Sequence, residues 1–107
     1  MFSGTKIKIG EEEFVIPPIS LGQLRNGVLD LLQKHDELVA GGKPFEAMDV
    51  RGQIILAALQ RNYPDFTEKK LLDYLDAGNI GPLWLHVLGI SGFSPSGEAQ
   101  AATQSGT

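Results

Sequence analysis

Apolar side chains fall at every second position in Thr5-Lys6-Ile7-Lys8-Ile9, and Glu13-Phe14-Val15-Ile16 is a second short run of β-branched and aromatic residues. Both read as strands. Gly10-Glu11-Glu12 lies between them and predicts a three-residue hairpin loop, with glycine free to take a positive φ. Pro17-Pro18 ends the second strand, because proline donates no ladder hydrogen bond and biases the residue before it away from the helical region.

Past the prolines the apolar spacing becomes helical. Ser20 and Gln23 fit a capping box, and Ile19 and Leu24 occupy the two positions of a hydrophobic staple. The stripe Leu21, Leu24, Val28, Leu31, Leu32, Leu38, Val39 predicts a first helix with one face on the core, ended by Gly41-Gly42. Gly22, Asn26 and Gly27 weaken it, so it depends on burial more than on propensity. A second helix follows, with Pro44 and Asp49 both credible starts. Its block Ile54-Ile55-Leu56-Ala57-Ala58-Leu59 covers more than half the helix circumference, which makes it the most buried element before Arg61-Asn62-Tyr63-Pro64 stops it. If Asp49 caps it, residues 43–48 are a loop that lays Phe45 and Met48 over the edge of the core.

Thr67 is a good N-cap, with Glu68 in the first turn and Phe66 and Leu71 at staple spacing. The third helix is predicted to run to about Ala77, with Gly78 supplying the turn after it. Pro82 suits the first position of a fourth helix, which carries Leu83, Trp84, Leu85, Val87 and Leu88 and ends at Gly89, where Ile90 packs on Leu85. From Ser94 onward there is no aromatic or large aliphatic residue to offset the entropy of ordering the chain. The predicted architecture is α+β and mainly α: residues 1–93 form one globular domain, with a hairpin over 5–16 packed on a bundle of about four helices over 20–90, and 94–107 form a disordered tail.

Composition narrows the function. The chain has 107 residues, no cysteine and a formal charge of −4. Its length fits one core, and the absent thiols exclude disulfides, zinc–thiolate sites and cysteine nucleophiles. Acids outnumber bases, which argues against neutralising nucleic-acid phosphates. No run reaches the roughly 18–20 apolar residues of a membrane span, and no basic stretch precedes an apolar signal core, so a soluble intracellular protein is expected.

Candidate chemistry is sparse. His35 and His86 have no partner at a metal-binding spacing and read as ordinary surface or boundary histidines. Glu11-Glu12-Glu13 is a solvated acidic turn without convergent geometry. Thirteen glycines include no phosphate-binding fingerprint, and Ser91, Ser94 and Ser96 lack a nucleophile-elbow setting. Arg61, Lys69 and Lys70 are interleaved with Asp65, Glu68, Asp73 and Asp76, the pattern of a mixed-charge surface. No catalytic group, cofactor or metal site is expected.

The densest feature is apolar. Leu83, Trp84, Leu85, Val87, Leu88, Ile90 and Phe93 fall within eleven residues. Core packing accounts for most of them, but a short terminal helix cannot bury every side of itself on a small domain, and a remainder is expected to form a partner surface. Trp84, Leu85, Leu88, Ile90 and Phe93 are the candidates for it, joined by Phe66 and Tyr63.

Two segments are distinctive together: Pro-Pro-x-Ser-Leu-Gly-Gln-Leu from Pro17 to Leu24, and Arg-Asn-Tyr-Pro-x-x-Thr-Glu from Arg61 to Glu68. With Lys-Ile-Lys-Ile-Gly ahead of them and Leu75-Asp-Ala-Gly-Asn79 after, the stretch from about 5 to 90 resembles the tail assembly chaperones of long-tailed bacteriophages. The resemblance implies a non-enzymatic protein of the host cytoplasm that holds the tape measure protein in solution until tail tube subunits polymerise around it, and that is absent from the mature virion. It also implies that a frameshifted longer form engages the tail tube protein, for which the polar tail would suit as a linker. Self-association is compatible with it, and nucleic acid and membrane are not implied partners. A structural virion subunit, such as a tail-completion or head–tail joining protein, is the alternative.

Overall fold

The computed structural model describes residues 1–93; the tail expected over 94–107 lies outside them. Strands β1 (Thr5–Ile9) and β2 (Glu12–Ile16) pair antiparallel with Ile7 opposite Phe14 and Ile9 opposite Glu12. The loop therefore has two residues, not the three expected, and Glu12 belongs to the strand. Gly10, at φ +65, supplies the positive φ that a two-residue hairpin turn needs at its first position. Ile9, Phe14 and Ile16 share the buried face of the hairpin, with Ile7 partly covered beside them.

Helix α1 is bent. It consists of Leu21–Gln23, a π-helical turn Leu24–Val28, and Leu29–Ala40. Ser20 and Gln23 form the predicted capping box, and the Gln23 amide also donates to the Ala57 carbonyl at 2.7 Å. The bend comes from Asn26 (φ −91, ψ 20) and Gly27 (φ 134, ψ −23), which leave the helical region. Leu24, Val28, Leu31, Leu32 and Leu38 of the expected stripe pack on the core across this bend, and only its two ends do not: Leu21 is 84% exposed, and Val39 is exposed at the other end. Gly42 closes the helix at φ +73, with Lys43 N–H donating to the Leu38 carbonyl and Gly42 N–H to Val39 in a Schellman motif.

Helix α2 (Pro44–Gln60) starts at Pro44 rather than Asp49, and Phe45 stands in solvent on its first turn. It runs through the middle of the core and buries Val50, Ile54, Ile55, Ala58 and Leu59, as the apolar block foretells. Helix α3 (Glu68–Tyr74) has Thr67 as N-cap, its hydroxyl accepting from Lys70 N–H at 3.1 Å. It ends at Tyr74, short of the Ala77 expected. The Asp76 carboxylate accepts from the N–H groups of Gly78 and Asn79, both at 2.8 Å, and this side-chain turn outcompetes another helical turn.

Helix α4 (Ile80–Ile90) follows at once, so Pro82 is its third residue and not its first, still within the turn whose N–H groups lack helical partners. The helix passes Gly89, ends at Ile90 and is closed by Gly92 (φ +83), with Phe93 N–H donating to the Leu88 carbonyl at 2.8 Å. Ile80, Leu83, Trp84, Val87 and Leu88 make its buried stripe.

Candidate functional site

The seven side chains expected at a partner surface divide. Trp84, Leu88 and Phe66 are buried, Tyr63, Ile90 and Phe93 pack at the margin of the core, and Leu85 alone is more than half exposed. Trp84 and Leu88 lie on the i, i+4 stripe that starts at Ile80, so they face the bundle; Leu85 falls off that stripe. In the folded chain the end of α4 is core first, and Trp84 offers a partner 3% of its surface.

His35 is also placed differently from the surface or boundary position expected. It is the one buried polar or charged side chain among the described residues. Its Nε2 accepts from Arg51 Nε at 2.8 Å, its Nδ1 faces the Asp36 carboxylate at 3.3 Å, and its ring lies 4.8 Å from Trp84. The Arg51 guanidinium sits 5.7 Å over the same indole. Arginine, histidine and tryptophan thus satisfy one another inside the bundle, and a histidine held this way is a packing element. His86 lines a hollow of about 390 Å3 beside β1 with Lys6 and Lys8, and its Nε2 is buried without a hydrogen-bond partner among the described residues. No group of three or more His, Asp or Glu able to hold a metal ion occurs among the described residues, nor any helix long and apolar enough to cross a membrane.

The two segments that carry the family resemblance meet in space. Arg61 Nη1 donates to the Pro18 carbonyl at 2.6 Å. The Asn62 amide donates to the Val15 carbonyl at 2.9 Å, and the Tyr63 hydroxyl accepts from Val15 N–H at 2.8 Å. Val15 sits at a position whose peptide groups point away from β1, so these two side chains cap the outer edge of the hairpin. Tyr63 also sets its ring edge-on to Phe14 at 5.3 Å. The Arg-Asn-Tyr segment is a latch between hairpin and helices, and Tyr63 belongs to it.

Tyr74 adds a second tie, its phenol donating to the Glu12 carboxylate. That hydrogen bond, with burial and the charges of Glu12 and Asp73, raises the Tyr74 pKa above the ordinary tyrosine value. Because the folded-state value is the higher one, the contribution is complete below the ordinary pKa and is lost as pH climbs through the raised value. Absorbance at 295 nm is expected to show Tyr74 ionising later than a free tyrosine, and Glu12→Gln to bring it back toward the usual range; an unshifted titration in the parent chain would rule the tie out.

An open and mostly apolar surface lies between α2 and α3. Met48, Gly52, Leu71 and Leu75 line a hollow of about 320 Å3, with Leu72 beside them. Leu71 is 1% exposed and Leu72 is 55% exposed, because this short helix packs on the core along one narrow side that Leu71 occupies. Asp49, Glu68 and Asp76 stand around this apolar hollow, and no lysine or arginine lines it. Gly52 sits mid-helix with only Leu75 Cδ1, 3.8 Å away, near the place of a Cβ. Sterics do not require glycine there; its absent side chain leaves the hollow deeper. Sequence reading passed over this site, although the Leu71-Leu72 pair was its signal.

No family model, curated protein or solved structure matches the chain.

Proposed function

We propose that the protein is a tail assembly chaperone of a long-tailed phage, which holds the tape measure protein in the host cytoplasm until the tail tube assembles. The observation that carries the reading is the open apolar hollow between α2 and α3, on a scaffold whose described titratable groups form no convergent cluster. Such a surface suits capture of another polypeptide and offers no convergent acid, base or nucleophile for a reaction. The two family-like segments point to the client, although the structure gives both of them scaffold roles.

Coexpression with the tape measure protein of the same genome tests this. The client is expected in the soluble fraction only when the chain is present, and mass spectrometry of purified virions is expected to find none of the chaperone. A client that stays insoluble, or a chain retained in the particle as a subunit, would overturn the reading.

A further inference from the structure

We infer that the hollow between α2 and α3 receives an amphipathic helix of the partner that carries lysine or arginine beside its apolar anchors. The inference rests on the protein being a holder of another polypeptide, and it names the chemistry of the segment held. Leu72 supplies the first argument: it is half exposed beside a hollow already lined by Leu71 and Leu75, so an incoming apolar side chain removes surface from water on both partners. Gly52 supplies the second. A mid-helix glycine costs about 1 kcal/mol relative to alanine, and nothing within van der Waals distance except the tip of Leu75 would meet a Cβ there. Gly52 is itself buried at the floor of the hollow, and its missing side chain leaves depth there for the tip of an incoming apolar side chain.

Charge selects the occupant. Three acids and no base surround the hollow. Glu68 and Asp76 also have local roles, at the start of α3 and in the turn after it, whereas Asp49 has only an exposed hydrogen bond from Gln53. Asp49 also lines the neighbouring depression, a mixed one with Lys34 and Glu46 beside exposed Phe45, so its charge stands where the two hollows adjoin. A cationic flank on the partner is attracted to this rim, and an acidic flank is repelled. Anionic surfaces such as phospholipid or nucleic acid are disfavoured by the same sign.

Two fluorescent synthetic helices with identical leucines at i, i+3, i+4 and i+7, one flanked by lysine and one by glutamate, are titrated against the full chain by anisotropy. The lysine peptide is expected to bind about tenfold tighter, with the difference shrinking as salt is added. Leu72→Asp and, separately, Asp49→Lys are each expected to weaken it about fivefold or more while the thermal melts stay within a few degrees of the parent, since both side chains are on the surface. Equal affinity for the two peptides, or binding unchanged by Leu72→Asp in a folded chain, would overturn the inference. Should Leu72→Asp still keep the tape measure protein soluble, the hollow is not the client site and the chaperone reading survives. Should the lysine peptide bind while coexpression fails, the hollow stands and the chaperone reading falls.

Discussion

Trp84→Ala is expected to lower the stability of the fold by about 3–5 kcal/mol. The indole is 3% exposed, lies against the His35 ring and carries the Arg51 guanidinium on its face, so truncation removes a large apolar contact and opens a cavity beside a buried polar pair. A domain of this size has about 5–15 kcal/mol in total, so the variant should lose much of its resistance to urea. Leu85→Asp is the control. Leu85 is next to Trp84 in sequence but 51% exposed, and a change there is expected to stay within about 0.5 kcal/mol. Urea unfolding followed by circular dichroism separates the two; similar midpoints for both variants would contradict the placement of α4.

Asn62→Ala is expected to cost about 1–3 kcal/mol, mostly by leaving the Val15 carbonyl without its partner. The same amide accepts from Phe2 N–H at 2.6 Å and donates to the Phe2 carbonyl at 3.0 Å, so one side chain ties both the start of the chain and the edge of β2 to the helices. The loss should be local. Hydrogen exchange is expected to accelerate across β1 and β2 while the amides of α2 keep most of their protection, and uniform acceleration would show that the hairpin is not a separable unit.

Features set by neighbouring residues were legible in the sequence. The caps at Ser20 and Thr67 and the entry of the chain into α2 at one of two proposed sites follow from contacts within a few positions, and the burial of Ile54, Ile55, Ala58 and Leu59 follows from the local density of apolar residues. The bend in α1 was half legible: Asn26 and Gly27 marked a weak point, but periodicity carried the stripe through it, because a turn with one extra residue per repeat leaves composition untouched. Placing the start of α4 at Pro82 hid Ile80, and with it the stripe that turns Trp84 inward and Leu85 outward. Arg61, Asn62 and Tyr63 read as a helix stop, with Arg61 on a mixed-charge surface and Tyr63 at a partner surface; their latch role was hidden, since their partners lie more than forty positions away. The hollow belongs to α2 and α3 jointly, so neither helix announces it alone.

The latch also sets a schedule for synthesis. Val15 and Asn62 are 47 residues apart, so the outer edge of the hairpin leaves the ribosome long before the side chains that cap it. At about 5–20 residues per second, the nascent strand stays uncapped for several seconds, ready to pair with any other extended chain. Glu12 and Glu13, both exposed on β2, and Glu11 in the turn beside them keep that strand charged through the interval, a defence against sticking to its siblings on a crowded polysome.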